Sequence, residues 1–136
     1  MSSCYAEVTN NRDGSLHVQF DTAWAFPFPI FEKLPDAMFC FDIGHARQCD
    51  TTMTEAYRIL RAHSGRLCQV HVSEVNTASH HDPLSYGAIL AFSQVADLIP
   101  DHVPLILEAR VTKDQIGAEI EKAQKALPLA GVLVER

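Results

Sequence analysis

No apolar run in this 136-residue chain approaches the roughly 18 residues of a membrane span. The first residues, MSSCYAEVTNNRDG, have neither a basic patch nor an apolar h-region, so they do not read as a secretory signal. A cytoplasmic location is therefore the expectation. The four cysteines (Cys4, Cys40, Cys49 and Cys68) form no C-x-x-C pair and are too sparse for a disulfide framework. They read as reduced, with Cys40 and Cys68 packed within strands. Basic residues are the minority, 11 Lys and Arg against 17 Asp and Glu, and the resulting charge of -6 argues against broad nucleic-acid binding. There is no linker, low-complexity tract or internal repeat to divide the chain. With 47% apolar and 21% charged residues, it reads as one domain with a core of its own.

What is present alternates between two patterns. Short apolar runs occur at Leu16–Phe20, Ala37–Phe41, Leu67–Val72 and Pro104–Leu107, and helical spacing follows each. Thr52 and Glu55 have the spacing of a capping box, ahead of a stripe of Met53, Ala56, Tyr57 and Leu60 that Gly65 closes. A second helix is expected from about Gly87 to Leu98. A third opens on another capping-box pair, Thr112 and Gln115, and carries Ile116, Ile120, Ala123 and Leu127. Prolines 27, 29 and 35 leave room for only a short helix after the first strand. The pattern predicts an α/β chain of four βα units with parallel strands over residues 16–128. Residues 1–15 form a flexible lead-in or a hairpin turning at NNRDG, and residues 129–136 a tail.

Residues two apart on a strand share a face. One face then carries His17, Gln19 and Asp21, another Gln69, His71 and Ser73; Asp42 ends the second strand, and Glu108 follows the fourth. Both faces of a buried parallel sheet should be apolar, so polar groups gathered near the strand ends mark a ligand site. Asp42, His45, His71, His81 and Glu108 offer the mixed nitrogen and oxygen donors that suit Zn²⁺, Mn²⁺ or Fe²⁺. Each also has a plainer reading. A strand-end aspartate ordinarily caps the next helix, although Asp50 or Thr52 is better placed for that. His71 alone reads equally as a hydrogen-bonded, half-buried histidine, and His80 and His81 as exposed loop residues. Glu108, ending an apolar strand, is harder to explain without a partner, because burying a lone carboxylate costs several kcal/mol. Four strand ends carrying such groups together favour the ligand reading.

In order and spacing, FCFDIGHA, VHVSE, HHDPLSYGAI and LILEAR resemble the second half of the xylose isomerase-like barrels. That superfamily includes family-2 AP endonucleases, sugar epimerases and inosose-type dehydratases. The resemblance spans Leu16 to Leu127 and implies half of a (β/α)8 TIM barrel. It also implies a divalent metal held by Asp42, His71 and Glu108. His45 would be a ligand or a substrate contact, His81 a further ligand, and Glu108 a proton-transfer group, so Glu108 and His45 are the expected catalytic residues. Where the family has Glu-Asn at the end of its fifth strand, this chain has Gln19 and Phe20. A glutamine can offer an oxygen to a metal but cannot take a proton. His17 and Asp21 are the residues that could stand in, and with Gln19 and Gln69 they make up the expected substrate contacts. Ser79 occupies the aspartate position of the endonuclease D-x-H loop, so a trinuclear zinc site is not implied.

A half barrel leaves open edges, which a homodimer would close most simply. The leading expectation is a metal-dependent isomerase, epimerase or dehydratase acting on a small sugar or polyol, with no nucleic-acid or membrane partner. The alternatives are a degenerate half barrel that binds metal or ligand without turnover, and a zinc hydrolase of the AP endonuclease type.

Overall fold

The structure is a computed structural model that describes residues 6–14, 16–20 and 28–128. The chain divides into two compact units, Met1–Pro35 and Asp36–Arg136. In the first unit β1 (Ala6–Asn10) and β2 (Leu16–Phe20) pair antiparallel, from Ala6 opposite Phe20 to Asn10 opposite Leu16. Within the lead-in, Ala6–Asn10 is thus one arm of a hairpin whose turn falls on NNRDG. Gly14 sits at φ 83°, in the left-handed region that a glycine enters without cost, and its N–H donates to the Asn11 carbonyl at 3.1 Å. After it, α1 (Phe28–Lys33) is six residues long. Pro29 is tolerated in its first turn, where the N–H has no helical partner.

The second unit is a mixed α/β structure around a three-stranded parallel sheet, in the order β3 (Phe39–Asp42), β4 (Leu67–Val72), β7 (Leu105–Leu107). Between β3 and β4 lie α2 (Ile43–Cys49) and α3 (Thr54–His63). After β4 comes a small antiparallel ladder of β5 (Glu74–Val75) and β6 (His81–Asp82), then α4 (Tyr86–Ser93). The last described helix, α5 (Ile116–Ala126), packs against α4. Phe41, Val70 and Val72 supply the buried side of the sheet, and Ile43, Leu60, Phe92 and Leu127 join them in the core.

Three local expectations are corrected, and one helix was not expected at all. The helix α2 was not legible as such; it starts directly from β3 because the Asp42 carboxylate accepts from the His45 N–H at 2.9 Å. Thr52 does not form the expected capping box with Glu55; the only backbone N–H its hydroxyl accepts from is that of Thr54, at 3.3 Å. Asp50 takes the Glu55 N–H instead (2.9 Å) and also accepts from the Thr52 N–H (3.0 Å), while buried Met53 turns the chain at φ 60°. The helix expected over Gly87–Leu98 ends at Ser93, and Ala96–Leu98 forms a separate 3₁₀ turn. Finally, Cys40 and Cys68 are exposed rather than packed. The register slips between Phe39 and Cys40, which pair with Leu67 and Gln69, so Cys68 is the extra residue of a bulge. The bulge inverts the alternation, burying Leu67 and turning Cys68 outward, where its thiol donates to the Phe39 carbonyl at 3.1 Å.

Candidate metal centre

The parallel register brings the strand ends together. Asp42 pairs directly with His71, His71 pairs with Ile106, and Glu108 lies two residues beyond Ile106 on the same face. The Glu108 N–H extends the ladder by donating to the Val72 carbonyl at 3.1 Å. His71 Nδ1 lies 2.7 Å from Glu108 Oε1, and its Nε2 is 2.9 Å from the Gln69 amide nitrogen. Gln69 therefore holds the far side of the His71 ring.

His45 and His81 come from different elements. His45 is in the first turn of α2, directly above its cap, with Nε2 3.9 Å from Asp42 Oδ2. His81 reaches the same place from β6. The turn before it is organised by Asn76, whose side-chain oxygen accepts from the N–H groups of Ala78 and His80 and whose amide donates to Asp82 at 2.8 Å. Ser79 completes that turn at φ 58°, a left-handed conformation uncommon for serine. The result separates two adjacent histidines: His80 is exposed, while His81 is half-buried with its ring edge-to-face on His45 at 5.2 Å between centroids. Buried Ser73 holds His81 Nδ1 at 2.8 Å, and Glu108 Oε2 lies 3.5 Å from the same atom.

Among the described residues, two groups could hold a metal ion: Asp42, His71 and Glu108, and Asp42, His45 and His81. Within each group the donor atoms lie within 4.8 Å of one another, and Asp42 belongs to both. The donors are half-buried oxygens and imidazoles, a set that suits a borderline divalent cation. Several rings already have a partner on a second nitrogen, which is how metal-ligating histidines are ordinarily oriented. All five expected metal ligands thus meet at one place.

No protein-family model, curated protein or solved structure matches this chain.

The expected substrate contacts are distributed differently. Gln69 is at the site, against His71. His17 and Gln19 lie on β2, opposite Thr9 and Glu7, and their side chains are outside what the structure describes; Asp21 lies outside the described residues. Sequence reasoning missed two further participants. Gln48 bonds to His45 at 3.1 Å, and the signal was its i, i+3 spacing on a helix that had not been expected. Arg47, one residue earlier, reaches across to Glu74 at 2.8 Å. Burial disfavours the charged form of Glu74, but hydrogen bonds from Ser85 and Arg47, together with the Arg47 charge, outweigh it and hold the carboxyl below its usual range. Cys40, although exposed as a residue, has its thiol pKa pushed up, by partial desolvation first and by its interactions with Cys68, Asp42 and Glu108, against the lowering effect of a hydrogen bond with Gln69.

Proposed function

We propose that this chain binds a divalent metal ion at the C-terminal ends of its parallel strands and belongs with metal-dependent sugar or polyol isomerases, epimerases and dehydratases. The observation that carries the reading is the convergence of Asp42, His71 and Glu108 from the ends of three adjacent strands, with donor atoms within 4.8 Å of one another. When bound, a divalent cation there would polarise a substrate carbonyl or hydroxyl. Asp42, His71 and Glu108 would hold it. Glu108, hydrogen-bonded to His71, would also be the group that moves a proton, and His45, at the open edge of the cluster, would orient the substrate. No helix among the described residues is long and apolar enough to cross a membrane.

The half-barrel reading, four βα units resembling part of a xylose isomerase-like barrel, belongs to this proposal. In its support, a parallel sheet is ordinarily covered on both faces. Here the face that carries the site leaves Ile106 41% exposed and Cys40 exposed as well. A homodimer that closes the barrel would cover them. A zinc hydrolase is the second reading, favoured by the second donor group of Asp42, His45 and His81, since two-metal hydrolases share ligands between neighbouring ions. The net charge of -6 weighs against a nucleic-acid substrate for it.

The test is metal per chain by mass spectrometry on tag-free protein, wild type beside Asp42→Asn and His71→Ala. Asparagine caps a helix as well as aspartate does, so Asp42→Asn should keep the fold and lose the metal. About one metal per chain supports the isomerase-type site and about two the hydrolase reading. Wild-type protein that stays metal-free after loading, or Asp42→Asn that keeps full occupancy, refutes the metal site.

A further inference from the structure

Gln48 lies outside both donor groups, yet both ends of its amide are engaged. Its nitrogen donates to the Asn76 carbonyl at 2.9 Å and to Ser79 Oγ at 3.0 Å. A backbone carbonyl can only accept, so the nitrogen of the amide must be the end that faces Asn76. That leaves Oε1 turned toward His45 Nδ1, 3.1 Å away. An amide oxygen can only accept, so the proton between them belongs to the imidazole. In the neutral ring the remaining nitrogen, Nε2, then carries the lone pair, and it is the atom that faces Asp42 Oδ2 at 3.9 Å.

From this we propose that Gln48 is a positioning residue: it holds His45 in the Nδ1–H tautomer and thereby presents the Nε2 lone pair to the site. A free neutral imidazole prefers the opposite tautomer, with hydrogen on Nε2, so the amide acts against the intrinsic preference of the ring. The bonds on its other side serve the same site. Asn76 and Ser79 belong to the turn that delivers His81, and the His81 ring packs edge-to-face against His45. A single side chain on α2 thus sets the tautomer of one donor and anchors the turn carrying the other. The consequence for metal affinity rests on the reading of His45 as a donor, whereas the tautomer assignment does not.

The experiment is a long-range ¹H–¹⁵N correlation spectrum of the histidine rings in metal-free full-length protein, at alkaline pH where the rings are neutral. Wild type should show His45 as Nδ1–H; a His45 signature of Nε2–H overturns the proposal. Two variants separate orientation from anchoring. In Gln48→Leu, His45 should revert toward Nε2–H, and Zn²⁺ affinity measured by competition should fall about 10–100-fold. In Gln48→Glu the acceptor for Nδ1–H is kept while the donors to Asn76 and Ser79 are lost, so the Nδ1–H signature should return together with most of the affinity. Equal tautomer populations in the two variants would mean that Gln48 only anchors the turn, and the proposal fails. If wild type shows Nδ1–H and no zinc binds, the metal reading fails and the tautomer assignment stands.

Discussion

Gly44, between Asp42 and His45, can be required for either of two reasons, and they predict opposite effects for Gly44→Ala. If glycine were there by default, alanine would stabilise α2 by about 0.5–1 kcal/mol through its better helix propensity. Backbone conformation does not demand glycine, because Gly44 is not among the positive-φ residues. Space does. A Cβ at this position would fall well inside contact distance of the Ser73 carbonyl oxygen, 2.8 Å from Val75 Cγ2 and 3.2 Å from Ser73 Oγ. Ser73 and Val75 are buried, and a carbonyl cannot swing aside, so α2 would have to lift from the strand. Overpacking of this kind costs about 1–3 kcal/mol. Lifting α2 also strains the Asp42 cap on His45, worth about 1 kcal/mol, and the 2.8 Å Arg47–Glu74 pair, worth up to about 1 kcal/mol. After the propensity gain, net destabilisation should be about 2–3 kcal/mol. With a urea slope of about 1–3 kcal/mol/M, the unfolding midpoint by circular dichroism should fall by roughly 0.7–3 M. Gly117→Ala is the matched control: it also lies in a helix, but its Cβ would meet nothing within 4 Å, so its midpoint should hold or rise. A Gly44→Ala midpoint at or above wild type would refute the close approach of α2 to the strand end.

Two further outcomes follow from buried or paired carboxylates. Glu119 is 2% exposed and accepts from the buried Leu84 N–H at 2.5 Å, with Lys122 on its other oxygen at 3.1 Å. Glu119→Leu should cost about 1–3 kcal/mol by orphaning that N–H, and Glu119→Gln, which keeps an acceptor, should cost less; urea titration of both reads the difference, and equal losses would refute it. Glu74 has a depressed pKa when folded, so its contribution is complete above the ordinary glutamate value of about 4.3 and is lost as pH falls through the lower folded value. Urea midpoints measured down through that acid window should therefore fall less steeply in Glu74→Gln than in wild type, and identical acid slopes would remove the carboxylate from the account.

The strand ends were the legible part of this chain. Period-two alternation at Gln69, His71 and Ser73 against Val70 and Val72 defines a face without tertiary information, and β4 occupies the expected Leu67–Val72. Other features depend on partners distant in sequence. Cys68 reads as an apolar strand residue until the neighbouring strand imposes a bulge. Glu119 reads as a surface charge on an amphipathic helix until the loop at Leu84 supplies a buried N–H. Loop polarity alone does not separate His80 from His81, and only the resemblance singled out His81; in the structure a left-handed Ser79 and the Asn76 turn bring it to the site.

Asp42 shows why reading a residue as either structural or functional can mislead. An aspartate at a strand end invites a choice between helix cap and ligand, and here its two oxygens have different surroundings, so one does not exclude the other. Oδ1 accepts from the His45 N–H and starts α2, while Oδ2 faces His45 Nε2. Capping needs only an oxygen acceptor, which asparagine also supplies, whereas a cation site needs the charge. The cap is also what places the donor: by starting α2 at Ile43 it brings His45 back over the carboxylate, one turn later. Gly44 lets that turn lie against Ser73, and Gln48 orients the ring it carries. The Asp-Ile-Gly-His spacing is therefore one local solution, in which a strand end, a helix start and a pair of donors are built from the same four residues.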